Sequence, residues 1–266
     1  MKRWIPFVKS PPVVAVLRLA GTIAAPGRTA SLNDTELAPL IERAFRRRKP
    51  AAVALVINSP GGSPVQSSLI AARIRRLAEE TETPVYAFVE DVAASGGYWL
   101  ATSGDEIWVD SSSVIGSIGV ISANFGFHEL ITRYGIERRV YTAGKNKSTL
   151  DPFQPEKAAD VKKLKGHLEH IHVAFVEQVK SRRGDKIAKS GDLFTGDFWI
   201  GSKAVELGLA DGVGHMVPKM KEVYGSDVIF LEYSRRRALL QRFGMSMANQ
   251  VLDTVEERAA YARFGL

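Results

Sequence analysis

Residues 94–101, ASGGYWLA, put the hydroxyl of Ser95 directly before Gly96 and Gly97, and residues 57–62, INSPGG, end on a second glycine pair, Gly61 and Gly62. The chemistry such residues support is addition to a carbonyl. A serine hydroxyl becomes a competent nucleophile when a neighbouring base takes its proton, and the negative oxygen that then forms needs backbone N–H donors aimed at it. Glycine has no Cβ, so it permits positive φ and lets those N–H groups approach closely. The Gly96 N–H adjoins Ser95, and Gly61 or Gly62 supplies the second donor. One glycine-rich turn alone usually just reverses the chain; the signal is that two occur together.

The base is less plainly written. Five histidines are present, His128, His167, His170, His172 and His215, and none falls in a recognisable triad motif. His167, His170 and His172 share an amphipathic helical stretch with Leu164, Leu168, Ile171 and Phe175, which makes them surface histidines. The zinc-peptidase spacing H-E-x-x-H is absent, so no metal is expected. With no cysteine in the chain, thiol catalysis, thiolate metal sites and disulfides all drop out. GKNKS, residues 144–148, carries Lys145 and Lys147, and by its own pattern this segment is a solvated turn.

The elements that must position these groups alternate strand and helix, the signature of an α/β fold with a parallel sheet. Val13 to Leu19 reads as a strand, and Asp34 to Arg48 as a helix capped by Asn33 or Asp34 with Leu37, Leu40, Ile41, Ala44 and Phe45 on one face. Ala52 to Ile57 is apolar throughout, as a strand covered on both faces must be. A helix over Val65 to Glu80 and a strand over Val85 to Val89 follow, and a third helix opens at Ser95. Both glycine turns therefore sit at the carboxyl edge of the sheet, where open α/β sheets bind ligands.

The succession INSPGG, DVAASGGYWLA, SVIGSIGV and YTAGKNKSTLDPF resembles the signal peptide peptidase A family of serine peptidases, which share the Clp protease and crotonase fold; the likeness runs from about Val13 to Gly214. The resemblance implies a Ser/Lys dyad with Ser95 as nucleophile and Lys147 as general base, while the family has no role at the position of Lys145. An ordinary lysine is protonated at neutral pH, so such a base needs dry surroundings. The resemblance also implies apolar peptide substrates such as signal peptide remnants, with Tyr98, Val114 and Ile115 lining pockets beside Ser95. It further implies no cofactor, and a homo-oligomeric ring, an octamer for a chain of single length, whose sites are composed across protomers. A crotonase-like acyl-CoA enzyme and an inactive scaffold of the same fold are the alternatives. The first normally uses carboxylates and no nucleophilic serine, and the second would lack the dyad.

The 266 residues, 45% hydrophobic, suffice for a large core. The net charge of +7 is spread along the chain rather than gathered in a motif, so no nucleic-acid partner is expected. Residues 1–12 read as an N-terminal extension, 13–230 as the peptidase domain and 231–266 as a C-terminal helical tail. The run Val13 to Leu17 is far short of the ~20 residues that span a bilayer. No signal peptide or transmembrane segment is seen, and the expected location is the cytoplasm or the periphery of a bacterial inner membrane. In the tail, Leu239, Leu240, Phe243, Met247, Val251, Leu252 and Val255 recur at helical spacing. That face suits a subunit contact first and a membrane surface second.

Overall fold

The computed structural model describes residues 10–27, 31–188, 192–234 and 257–266. Strand β1 (Val13–Ala20) leads through α1 (Asp34–Arg46) to β2 (Ala52–Ser59), whose side chains are almost all buried. Then come α2 (Pro64–Glu80), β3 (Val85–Ala94), α3 (Gly96–Ala101), β4 (Glu106–Val109) and β5 (Val114–Gly116). The chain continues through α4 (His128–Arg133), α5 (Ala158–Arg183), β6 (Phe198–Ile200), α6 (Gly201–Glu206), β7 (Gly212–Val213), α7 (Met216–Tyr224) and β8 (Ile229–Tyr233). The sheet runs β6-β5-β3-β2-β1-β8, with β4 paired to β3 and to β7. Its ladders are parallel except where β6 meets β5. This mostly parallel sheet with its crossover helices is the expected Clp protease/crotonase-like fold.

Local chemistry explains the helix starts. Asn33 Oδ1 accepts the Glu36 N–H at 3.0 Å, which satisfies one of the orphan donors of α1. Ser63 caps α2 in the same way, and Pro64 follows where its missing N–H costs nothing. Leu37, Ile41, Ala44 and Phe45 of α1, with Ile70, Ile74 and Leu77 of α2, are buried. Each large side chain so buried contributes about 1.5–3 kcal/mol. Asp34 ties the two helices together by two 2.7 Å hydrogen bonds from Arg73.

The chain divides into two compact units: Met1–Ile118 with Val176–Leu266, and Gly119–Phe175. The first holds the sheet. In the second, the Phe127 N–H donates to Pro152 O at 2.6 Å and the Phe127 and Phe153 rings stack 5.5 Å apart. Arg138 lies over Phe153 at 4.6 Å and pairs with Asp151 at 3.0 Å.

Three expectations change. The sequence reads as one domain from 13 to 230, whereas Gly119–Phe175 forms its own unit. The boundary at 230 also falls inside β8, which pairs with β1 through Tyr233, so the sheet continues three residues into the expected tail. β3 runs to Ala94 rather than Val89, because it changes partner: Tyr86–Val89 pair with β4 and Val92–Ala94 with β5. Leu239 to Val255, the apolar face of the expected tail helix, lies outside the described residues. No helix among the described residues is long and apolar enough to cross a membrane.

Candidate active site

β3 passes into α3 with only Ser95 between them. Ser95 has φ 51° and ψ −120°, a conformation that an L-residue adopts at a cost of about 1–3 kcal/mol. Neighbours fix it there: its N–H donates to Gly116 O at 2.8 Å and its carbonyl accepts the Trp99 N–H at 3.0 Å. The side chain is half-buried, so the hydroxyl stands at a surface while its backbone is locked.

The turn after β2 packs directly against this corner. Gly61 has φ 99° and Gly62 φ 142°, angles that favour glycine. A Cβ on Gly61 would lie 2.7 Å from both Ala94 O and Gly96 N and 2.9 Å from Ser95 Cβ, and one on Gly62 would collide with Ile23 O. Gly96 approaches from the other side, since a Cβ there would lie 3.3 Å from Gly62 N. The two glycine turns read from the sequence thus meet at Ser95.

Which amides are free follows from the hydrogen bonds. The Gly61 N–H donates to Ser59 Oγ at 3.2 Å, and that hydroxyl donates to Gly21 O at 2.7 Å, so Gly61 is committed to holding the turn. The Gly62 N–H and the Gly96 N–H have no protein acceptor among the described residues. Two unpaired donors beside a hydroxyl are what a developing oxyanion requires. α3 has only six residues, so an oxyanion here would be held by the amides themselves rather than by a long helix dipole. Ser59 is a positioning residue that sequence reasoning missed, although it lies within the segment INSPGG.

The expected substrate-pocket residues are placed differently. Tyr98 is completely buried and its hydroxyl donates to Leu209 O at 2.9 Å; burial pushes its phenol well above the ordinary value. Ile115 is likewise inaccessible. Both side chains are core, because the first turn of α3 and every second residue of β5 point into the molecule. Val114 faces the other way, packed with Val92 and Ala94 and covered by Tyr261 and Phe264.

Lys147 belongs to the second unit, on the loop that follows Gly144 (φ 103°), and its N–H donates to Gly144 O at 3.3 Å. The Pro152 and Asp151 contacts described above anchor the loop's far end. The Lys147 side chain is exposed in the single chain, not dry as a general base requires, and it makes no ion pair among the described residues. Of the histidines, His215 sits 2.9 Å from Asp110, an exposed pair built on the α7 start, and has no bond to Ser95. Among the described residues no group of acidic, histidine or cysteine side chains could hold a metal ion.

The chain is 46% identical over its whole length to a Brucella melitensis protein named Na(+)/H(+) antiporter NhaA, of which it covers only 39%. It is 30% identical over 91% of its length to a probable protease SohB of Haemophilus influenzae, covering 67% of that protein. A solved structure of the 1510-N membrane-bound stomatin-specific protease, a lysine-to-alanine mutant in complex with a substrate peptide, superposes over 93% of this chain and 99% of its own with a TM-score of 0.52 at 13% identity. The antiporter name describes a protein more than twice as long as the shared part, and nothing in it describes the Ser95 corner. Residues 78–223, more than half of the chain and containing Ser95, Gly96 and Lys147, match the description Peptidase family S49; with the SohB similarity, this shows that the chain belongs to that family.

Proposed function

We propose that the protein is a serine endopeptidase acting on apolar peptides such as signal peptide remnants or membrane-protein fragments. The observation that carries this reading is the Ser95 corner: a half-buried hydroxyl on a strained backbone, wedged between two glycine turns that leave the Gly62 and Gly96 N–H groups unpaired. Ser95 Oγ attacks the scissile carbonyl while neutral Lys147 Nζ takes its proton. The carbonyl oxygen becomes an oxyanion and accepts the two N–H groups. Collapse expels the amine, which receives the proton from Lys147, and leaves an acyl ester on Ser95. A water molecule, deprotonated by Lys147, then attacks the ester, and the proton returns to Ser95 as the acid departs.

The exposure of Lys147 bears on assembly. A lysine general base needs surroundings from which water is excluded, so the reading calls for a cover, and a second copy of the chain is the natural one. The Gly119–Phe175 unit leaves Phe125 80%, Tyr134 71% and Tyr141 90% exposed, with Ile121 and Ile136 also open. That many open large apolar side chains on one small unit support a covering partner. In keeping with the family it resembles, the protein works as a homo-oligomeric ring, an octamer with sites composed across protomers, in the cytoplasm or at the periphery of a membrane.

A serine-reactive fluorophosphonate probe tests the chemistry. Wild-type protein labels, whereas Ser95→Ala and Lys147→Ala do not. Labelling that survives both substitutions refutes the dyad, and an unlabelled but well-folded wild type points to the inactive scaffold instead.

A further inference from the structure

Residues 257–266 return to the end of β3 next to Ser95. Residues 257–262 are helical, and Tyr261 and Phe264 pack on the side chains of Val92, Ala94 and Val114. Ala94 immediately precedes Ser95, and Val114 lies two residues before Gly116, whose carbonyl holds the Ser95 N–H. The Phe264 ring meets Phe198 of β6 edge-on at 5.5 Å. The Tyr261 hydroxyl donates at 2.8 Å to Asn58 O, at the carboxyl end of β2, which also accepts the Gly21 N–H at 3.0 Å. Burial first, then the Glu257 carboxylate, pushes the Tyr261 phenol up to about 12, so it stays a donor throughout the neutral range.

These contacts have two properties that core packing lacks. They are few, two rings and one hydroxyl on a ten-residue segment, which puts them at the low-stability end of local opening. They also cover an apolar shelf at the carboxyl edge of the sheet, the place where a peptide side chain beside the scissile bond would rest. A ring and a substrate side chain cannot occupy it together.

We infer that residues 257–266 are an intrinsic latch: Tyr261 and Phe264 fill a shelf made by Val92, Ala94, Val114 and Phe198, and that shelf takes an aromatic or large apolar side chain of the peptide when the latch lifts. Its effect on rate rests on the peptidase reading of Ser95; its occupancy of the shelf does not. The latch therefore competes with substrate, raising KM and leaving kcat alone.

The test uses the 266-residue chain carrying Tyr261→Ala and Phe264→Ala together, and as probe the fluorescein-labelled decapeptide ERAAYARFGL, the sequence of residues 257–266. By fluorescence anisotropy the decapeptide binds this variant about tenfold more tightly than it binds wild type, the factor that burial of one large apolar side chain supplies. Hydrolysis of an apolar fluorogenic peptide shows a KM lower by about the same factor at unchanged kcat, and unlabelled decapeptide restores the wild-type KM. Equal binding to both chains, binding to neither, or a changed kcat at constant KM overturns the latch. A binding difference in chains that neither label nor hydrolyse upholds the latch and overturns the peptidase reading alone. Tyr261→Phe, which keeps the ring and loses one hydrogen bond, guards against misfolding of the double variant; it shifts both readouts about threefold, and no shift counts against the latch.

Discussion

Replacing Gly61 by alanine perturbs the site through one added methyl group. At φ 99° an L-residue costs about 1–2 kcal/mol relative to glycine. The new Cβ also falls 2.7 Å from Ala94 O and Gly96 N, and 2.9 Å from Ser95 Cβ, all atoms of the pinned corner that cannot rotate away. Overpacking of this kind costs about 1–3 kcal/mol, so Gly61→Ala loses about 2–5 kcal/mol in all. Gly225→Ala is the control: Gly225 has φ 92° at the end of α7, and a Cβ there meets nothing within 4 Å, so it carries the backbone cost without the collision. Urea denaturation followed by tryptophan fluorescence gives the two losses, and their difference isolates the contact. Fluorophosphonate labelling gives the consequence for chemistry. Because the methyl group drives the Gly96 N–H away from the oxyanion position, Gly61→Ala labels about 10²–10³-fold more slowly, while Gly225→Ala labels as wild type does. Wild-type labelling by Gly61→Ala, or equal destabilisation of the two variants, refutes the argument that the glycine turn shapes the site.

Other substitutions probe separate parts of the account. Lys147→Arg puts a permanently protonated guanidinium where the base must be neutral, so turnover falls about 10²–10⁴-fold, while the denaturation midpoint stays put because the side chain is exposed in the single chain. Tyr98→Phe leaves Leu209 O without its buried donor and costs about 1–3 kcal/mol in urea, with the labelling rate unchanged, because Tyr98 is core and not pocket. The Asp34 carboxyl is held below the ordinary carboxylate range by its hydrogen bonds from Arg73, against the opposing effect of burial. Its folded-state value is thus the lower one, so its stabilisation is present above the unfolded carboxylate range and fades as pH falls through the folded value. Asp34→Asn is accordingly less stable than wild type by about 1–3 kcal/mol near neutrality, and the two urea midpoints converge in strong acid.

The sheet was legible where a strand is buried on both faces. AVALVI in β2 admits no other reading, and Asn33 announces α1 by the donor it satisfies. β3 outruns its expected end by five residues because Glu90 and Asp91 interrupt its apolar run; Glu90 is there to receive Arg18 from β1 and Asp91 to receive Asn58 Nδ2 from β2, partners that only the fold brings near. At the site, the glycine pairs and Ser95 could be joined from sequence because each stands at the end of a strand. The choice of Gly62 over Gly61 could not, since it turns on the rotamer of Ser59. Lys147 lies on a turn with no periodicity, and only resemblance to a family singled it out. Tyr98 was misplaced because one helical turn presents neighbouring residues to opposite environments, and sequence distance from Ser95 does not say which. Tyr261 and Phe264 sit in a short, mixed segment whose two rings gain meaning only from the shelf beneath them.

The backbone angles of Ser95 have an evolutionary corollary. They suit glycine better than serine, so exchange for glycine abolishes the hydroxyl and relieves about 1–3 kcal/mol of strain, offset by the ~0.5–1 kcal/mol that a freer unfolded chain takes back. A silenced copy of this protein is therefore at least as sturdy as its working ancestor. Selection for foldability alone does nothing to retain a serine at this corner.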